Sequence, residues 1–185
     1  SIKIMTALEQ NSLDLLNKNK RVTQGHIYTV PSPEDYPYQW FWDSCFHAIV
    51  LSQFDNLWAK QELLSLVSKQ FENGLLPHMI YWVPNEKLKI KWGKKDTSTI
   101  TQPPIIADSV LRVYEVDKDL KFLNTIYPAL KKFYQYLLKE RDARGNHLVS
   151  IINPDESGED NSPRFDIQLS LLPVHRLSKN FQQRL

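Results

Sequence analysis

The 185-residue sequence predicts an all-α fold made of paired helices around a common centre, with one small β hairpin. Three observations lead to this prediction. All five glycines fall between the segments that have helical periodicity, where their backbone freedom costs least. About six helical stretches lie between these glycines. Amphipathic stretches alternate with strongly apolar ones, which is the pattern expected of outer and inner helices.

The first helices follow from the spacing of the apolar residues. Residues 2–18 partly follow a helical stripe. Residues 43–53 predict a short, buried apolar helix with Asp43 or Ser44 as its N-cap. Residues 56–71 predict an amphipathic outer helix. Its apolar face carries Leu57, Leu63, Leu64, Val67 and Phe71, and its charged face carries Lys60, Glu62 and Lys69.

The alternation continues towards the end of the chain. The sequence Thr-Gln-Pro-Pro opens an apolar helix over residues 101–116, because proline is favoured in a first helical turn. Apolar residues at 120–137 step by three or four, and Pro128 should kink this helix or divide it. A further helix is expected over residues 162–172. These stretches make three helical pairs.

Residues 79–92 depart from the helical pattern. Apolar residues at 79–83 and an alternation of apolar residues with lysines at 87–92 flank the turn Pro-Asn-Glu, as in a β hairpin. The lysines are most simply a solvated face, or they attract an anionic group of a substrate. They are Lys87, Lys89, Lys91, Lys94 and Lys95.

Composition and charge exclude several classes of function. The net charge of +2 is spread over both signs, so we expect neither nucleic-acid nor membrane partners. No apolar run approaches the roughly 18 residues that a membrane span needs. Cys45 is the single cysteine, and residues 1–20 lack the apolar core of a signal peptide, so we expect a cytoplasmic protein. The five histidines lack metal-site spacing, and we expect no metal or cofactor.

The densest chemical feature is the aromatic stretch at residues 36–46, which holds six aromatic side chains. Aromatic rings stack on the C–H faces of sugars, and the carboxylate of Asp43 can accept hydrogen bonds from two adjacent hydroxyls. The alternative is that Trp40 and Trp42 are core anchors and Asp43 is an ordinary N-cap. The residues alone leave both interpretations open.

A second feature is the acidic loop at residues 153–164. Its opening matches a calcium-binding EF-hand loop, but Arg164 stands where that loop needs a glutamate, which disfavours a calcium site. General acid catalysis is a second interpretation, and it requires a carboxyl group that stays protonated near neutral pH. Repulsion from Glu156 or Glu159, together with aromatic walls, would provide this. The third interpretation is a solvated acidic cap.

Four motifs occur in order along the chain, and together they resemble glycoside hydrolase family 63. They are Gln-Trp-Phe-Trp-Asp-Ser at 39–44, Gly-Leu-Leu-Pro-His at 74–78, Thr-Gln-Pro-Pro at 101–104 and Glu-Ser-Gly-Glu-Asp-Asn-Ser-Pro-Arg at 156–164. That family includes processing α-glucosidases, mannosylglycerate hydrolases and glucosylglycerate hydrolases, and it is related to the trehalases. The resemblance implies an all-α (α/α)6 barrel and inverting hydrolysis of an α-glycosidic bond.

The resemblance also implies residue roles. Asp160 corresponds to the family's general acid, and Asp43 falls where the family holds sugar hydroxyls. Glu159 departs from the family, whose members often have a hydrophobic or aromatic residue there, and this would alter the pKa of the acid. For His78 the residue pattern alone leaves a hydrogen-bonded structural role equally open. Further positions on or near sugar-contacting stretches are Tyr36, Trp40, Trp42, His78, Tyr81, Trp82, Gln102, Glu156, Gly158 and Arg164.

In this family the general base is a glutamate far downstream, in the second half of the barrel. Six helical pairs need about twice the length of three. We therefore expect residues 1–185 to be the N-terminal half of one catalytic domain, with the remaining half of the barrel and a small carbohydrate substrate as partners. Without the base no water is activated, so this half alone should be inactive and expose apolar surface. The alternatives are a trehalase-like hydrolase and a noncatalytic helical carbohydrate-binding or scaffold fragment.

Overall fold

The computed structural model describes residues 5–159 and 162–166, and helices dominate this part of the chain. The described α-helices are α1 (Ala7–Asn19), α2 (Phe41–Leu51), α3 (Asn56–Val67), α4 (Glu86–Trp92), α5 (Ile106–Asp117) and α6 (Leu120–Glu140). The strands are β1 (Lys20–Thr23), β2 (His26–Thr29), β3 (Gln39–Trp40) and β4 (Met79–Ile80). Two 3-10 turns span Pro154–Ser157 and Pro163–Phe165. The predicted all-α class with a small β element is confirmed.

Side-chain caps begin most of these helices. Thr6 and Glu9 form a reciprocal capping box at α1. The Asp55 carboxylate accepts a hydrogen bond from the backbone N–H of Trp58 at α3, and Asp119 caps α6 in the same way. Helix α2 differs, because it begins at Phe41 and the side chain of its N-cap residue, Trp40, accepts no hydrogen bond from the first turn. The prediction of Asp43 or Ser44 as its N-cap was wrong, and both residues lie inside the helix.

The core lies where α2, α3, α5 and α6 pack together. Helix α2 packs against α3 and α5, and α5 packs against α6. The rings of Phe41 in α2 and Phe133 in α6 meet edge to face, with centroids 5.4 Å apart. Because α2 is the most apolar helix and contributes fully buried residues at nearly every turn, it anchors the fold. Its buried apolar residues are Phe41, Cys45, Ala48 and Leu51.

Helix α3 is not the outer amphipathic helix that the sequence predicts. Leu57, placed on its inner face, is 67% exposed, whereas Lys60 and Glu62 are buried. The ammonium group of Lys60 lies 2.5 Å from Asp117 and 2.8 Å from Asp119, which compensates its burial. A charged residue can be buried when oppositely charged groups pair with it. The periodicity of apolar residues does not show where such groups lie, so the burial of Lys60 was not predicted.

The β hairpin predicted over residues 79–92 is also wrong. Residues Glu86–Trp92 form α4, capped by the Asn85 side chain, which accepts from the backbone N–H groups of Lys87 and Leu88. Strand β4 pairs instead with β3, in antiparallel register. Among the described strands, β1 and β2 form an antiparallel hairpin. The alternation of apolar residues with lysines at 87–92 fits a helix as well as a strand. Leu88 and Trp92 are four residues apart and face inward on the helix, while Ile90 is 87% exposed.

Helix α6 runs unbroken for 21 residues through Pro128, so the predicted division does not occur. Its inward stripe packs on the core, and this outweighs the hydrogen bond that proline cannot donate. The stripe consists of Phe122, Ile126, Leu130, Phe133 and Leu137. Of the helix predicted over 162–172, a 3-10 turn at Pro163–Phe165 is described, and residues 167–172 lie outside the described residues. Among the described helices, none combines the length and apolar character needed to span a bilayer.

Candidate active site

The first turn of α2 is held by the second and third sequence motifs. The backbone N–H groups of a first helical turn lack partners within the helix. Here the N–H of Phe41 donates to the carbonyl oxygen of His78 at 2.9 Å. The N–H of Trp42 donates to Oε1 of Gln102 at 3.2 Å. The backbone ahead of Asp43 is therefore fixed from two sides.

The third and fourth motifs meet beside this turn. The backbone N–H of Thr101 donates to Oε1 of Glu156 at 3.1 Å. The N–H of His78, in the second motif, donates at 2.7 Å to the carbonyl oxygen of Ile100, the residue that immediately precedes the third motif. Four motifs that are far apart in the sequence are thus joined by direct hydrogen bonds around the start of α2.

Asp43 lies in the first turn of α2 and is half-buried. Burial raises the pKa of its carboxyl group, and the hydrogen bond from its own backbone N–H only partly opposes this. Within the described residues, no other side chain donates a hydrogen bond to Asp43. A partly desolvated carboxylate with open acceptor positions is suited to binding hydroxyl groups.

Aromatic rings form a continuous wall next to this turn. Tyr36 is 53% exposed and packs edge to face on Trp40, with centroids 5.7 Å apart. Trp40 packs on His78 at 5.2 Å, and His78 packs on Trp92 at 4.8 Å. The wall therefore runs from an exposed tyrosine into the interior. Its exposed end can present ring faces to a sugar, and its buried end supports the wall.

His78 lies at the buried end and has almost no exposed surface. Its Nδ1 is 2.6 Å from the hydroxyl oxygen of Ser98. Burial lowers the pKa of His78 to about 3, and the nearby charge of Lys91 adds to this effect. The imidazole is therefore neutral at physiological pH. Its contacts match the hydrogen-bonded structural role that the sequence left open.

Tyr81 and Trp82 lie behind the wall. Tyr81 is fully buried, and its hydroxyl donates to the backbone carbonyls of Lys94 and Thr97. The indole N–H of Trp82 donates to Oε1 of Gln39 at 3.0 Å. Both side chains are buried among protein groups in the described structure, so they brace the β3–β4 pair. Trp42, by contrast, is only partly buried.

A buried polar network, which the sequence analysis missed, fastens the start of α2 to α3. The Ser44 hydroxyl donates to Oε1 of Glu62 at 2.5 Å. The Gln39 amide donates to the Ser44 hydroxyl at 3.1 Å and to the Ser65 hydroxyl at 2.9 Å. Burial raises the pKa of Glu62 to about 8. The sequence feature that could have indicated this network is the spacing of Glu62 and Ser65, which lie three residues apart and therefore on one face of a helix.

The acidic loop is attached to the end of α6 by a second missed residue, Arg141. Its guanidinium forms a bidentate ion pair with Glu156, at 2.6 Å and 2.8 Å. Hydrogen bonding to Glu156 raises the pKa of Arg141. The ion pair could not be predicted from the spacing of Arg141 and Glu156, because the loop between them is irregular.

Gly158 brings the loop into contact with α2. Its φ is +72°, and a β-carbon at this position would lie 2.4 Å from Cη2 of Trp42. Farther along, the Arg164 guanidinium lies 2.9 Å from the exposed Glu159 carboxylate. Asp160, predicted to be the general acid, lies outside the described residues, and its role stays a prediction.

The described residues contain no group of three or more His, Cys, Asp and Glu side chains placed to hold a metal ion. Comparison with protein families gives a match of residues 36–184 to the mannosylglycerate hydrolase MGH1-like glycoside hydrolase domain. The chain belongs to this MGH1-like family. The resemblance to glycoside hydrolase family 63 is confirmed by a solved structure of a family 63 enzyme that is similar to this chain.

Several relatives of this MGH1-like chain are mannosylglycerate hydrolases. Mannosylglycerate hydrolase MGH1 of Selaginella moellendorffii is 34% identical over 180 residues, covering 91% of this chain and 37% of that protein. The mannosylglycerate hydrolase of Thermus thermophilus is 37% identical and covers 90% and 42%. The crystal structure of a family 63 mannosylglycerate hydrolase from T. thermophilus with Tris and D-glycerate has a TM-score of 0.82 at 38% identity, covering 92% and 42%. The MGH1-like chain thus spans about two-fifths of the length of these relatives.

Proposed function

We propose that this chain provides the sugar-binding turn and the general acid of an inverting glycoside hydrolase that cleaves an α-glycosidic bond. The observation that carries the proposal is the contact between Gly158 and the Trp42 ring. It places the loop predicted to carry the acid directly against the turn predicted to bind sugar hydroxyls. Membership in the MGH1-like family supports the same reaction class.

In this proposal Asp43 accepts hydrogen bonds from two adjacent hydroxyls of the sugar. Tyr36, at the exposed end of the aromatic wall, and Trp42, next to Asp43 in the chain, keep exposed surface and offer aromatic faces for the ring. Asp160 follows Gly158 by two residues and donates the proton to the leaving oxygen. Acid catalysis of this kind contributes about 100- to 10,000-fold to a rate.

We further propose that residues 1–185 form the N-terminal half of one catalytic domain. A glutamate of the second half would act as general base and activate water on the opposite face of the sugar, about 6.5–9.5 Å from the acid. The coverage of the relatives, 37% and 42% of their lengths, is consistent with this arrangement.

For the substrate we propose an α-mannoside or α-glucoside of glycerate. Glycerate is an anion, and α4 with its following residues carries five lysines against two carboxylates, Glu86 and Asp96. Lys91 is close enough to depress the pKa of His78, and its ammonium lies 4.6 Å from the centre of the Trp92 ring. This cluster of lysines is therefore in contact with the aromatic wall, at Trp92.

The test is hydrolysis by the full-length protein of mannosylglycerate, glucosylglycerate, trehalose and an α-glucobiose. We expect one of the two glycerate glycosides to be cleaved best, with the β-anomer of the sugar formed first in an NMR time course. Asp160→Asn should lower kcat about 100-fold or more with little change in KM. Asp166→Asn, an exposed carboxylate of the same segment, is the matched control. First formation of the α-anomer, or full activity of Asp160→Asn, would contradict the proposal, and a preference for trehalose would favour the trehalase-like alternative.

A further inference from the structure

The ion pair between Arg141 and Glu156 is buried. Its side chains are 5% and 3% exposed, and it joins the end of α6 to the 3-10 turn Pro154–Ser157. Arg141 is itself fixed on the α6 side, because its Nε donates to the Tyr136 hydroxyl at 2.8 Å. Its backbone carbonyl also accepts a hydrogen bond from the N–H of Ser150 at 2.6 Å. The pair is thus a rigid connection between a helix and a loop.

The carboxylate of Glu156 has no acceptor position left for a ligand. Its Oε1 accepts from Nη2 of Arg141 at 2.6 Å and from the N–H of Thr101 at 3.1 Å. Its Oε2 accepts from Nη1 of Arg141 at 2.8 Å and from the N–H of Ile152 at 2.9 Å. A carboxylate offers about four acceptor positions, and all four are used inside the protein. This differs from the sugar contact that the family resemblance implies for Glu156.

These contacts form part of a closed ring of interactions around the candidate site. Glu156 binds the backbone of Thr101, and the next residue, Gln102, binds the backbone of Trp42. The Trp42 ring meets Gly158, which is two residues beyond Glu156. The distance between the sugar-binding turn and the acidic loop is therefore set by more than one independent contact.

We propose that Arg141 and Glu156 are positioning residues that hold the loop of the general acid against Trp42, and that Glu156 does not bind the sugar. The inference rests on the proposed function, since Asp160 follows Glu156 by four residues. Loss of either partner leaves a buried unpaired charge, which displaces the loop. The displaced acid then protonates the leaving group poorly, while sugar binding at Asp43 persists.

The experiment uses the full-length protein with Glu156→Gln and Arg141→Met, and it compares two substrates. One is the glycoside that the wild type cleaves best, and the other is the α-fluoride of the same sugar, whose fluoride departs with little proton donation. We expect kcat on the glycoside to fall about 10- to 100-fold with KM changed by less than about twofold. We expect kcat on the fluoride to fall by less than about threefold.

Lys60→Met is the control, because it removes another buried cation, paired with the partly exposed Asp117 and Asp119, without touching the loop. It should leave the glycoside-to-fluoride ratio of kcat at the wild-type value. A rise in KM at constant kcat would show that Glu156 binds sugar and would overturn the proposal. Equal losses on both substrates, matched by Lys60→Met, would also overturn it.

A second measurement separates this inference from the proposed function. Backbone hydrogen exchange of residues 152–159 should accelerate about tenfold or more in Glu156→Gln, with α2 unchanged, whereas Lys60→Met should not affect the loop. A wild type that cleaves no glycoside would refute the proposed function while exchange still reports on the loop. Unchanged exchange of the loop in Glu156→Gln would overturn the positioning role.

Discussion

Gly158 and Trp42 are in such close contact that a β-carbon at position 158 would lie 2.4 Å from Cη2 and 2.8 Å from two other ring carbons. Only glycine fits between the loop and the indole ring, and φ of +72° favours glycine for a second reason. Because Trp42 precedes Asp43 on the first turn of α2, this contact sets how near the acidic loop can come to the candidate sugar-binding carboxylate.

Gly158→Ala should therefore lower activity far more than its backbone strain alone would. Gly145 also has a left-handed φ, +63°, but nothing lies within 4 Å of a β-carbon there, so Gly145→Ala is the matched control. Both variants should lose about 1 kcal/mol of folding free energy from the backbone. We expect kcat of the full-length protein to fall about tenfold or more for Gly158→Ala only. Similar kcat values for the two variants would contradict a tight fit at Trp42.

Asp43→Asn should stabilise the protein near neutral pH while weakening sugar binding. Burial raises the folded-state pKa of Asp43 above its unfolded value, so the wild type is relatively most stable at low pH and loses stability as pH rises through the titration range of this carboxyl group. The melting temperature of Asp43→Asn should exceed that of the wild type at about pH 7, and the difference should shrink towards about pH 4. Loss of the charged acceptor should cost about 2–4 kcal/mol of sugar binding.

The control for this variant is Asp35→Asn, which changes an exposed aspartate just ahead of the aromatic stretch. Its melting temperature and sugar affinity should equal those of the wild type at both pH values. A lower melting temperature for Asp43→Asn at neutral pH would mean that the Asp43 carboxylate is stabilised by its surroundings.

Glu62→Gln should remove a pH dependence of stability. Burial raises the pKa of Glu62 from 4.5 to about 8, so its contribution to stability is fully present below about 4.5 and is lost as pH rises through about 8. The shift corresponds to about 5 kcal/mol at most. Urea unfolding at about pH 5 and about pH 9 should show a large loss for the wild type and a smaller one for Glu62→Gln. Glu115→Gln, on an exposed glutamate, should behave as the wild type does, and an equal loss in all three proteins would exclude the raised pKa.

Lys91→Gln should reduce kcat/KM about two- to fivefold for an anionic glycerate glycoside at low ionic strength, because surface charge acts mainly on encounter with the substrate. The difference should fade in about 1 M salt, where charges are screened within about 3 Å. Lys131→Gln on the exposed face of α6 is the control. An equal effect on trehalose, which is neutral, would show that Lys91 acts through packing on Trp92.

Much of the fold was predictable from residue spacing. The apolar stripe of residues 120–137 anticipated α6, and the run at 43–53 anticipated the buried helix α2 to within two residues. In helix α3 the prediction was wrong for Leu57, which is exposed, and for Lys60 and Glu62, because the partners that bury these two charged residues come from distant segments. The prediction of a hairpin at 79–92 was wrong for a different reason, since the spacing of Leu88 and Trp92 fits a helix as well as a strand.

The sequence by itself determined which residues are candidates for the chemistry, because the four motifs, their order and the aromatic stretch beside Asp43 are local features of the chain. Only the tertiary structure decided which of these side chains stay open to a ligand. Glu156, Tyr81 and Trp82 fill their hydrogen-bonding positions inside the protein, while Asp43 does not do so within the described residues. The physical reason is that burial and pairing depend on groups brought from 15 to 60 positions away, and no local pattern encodes those distances.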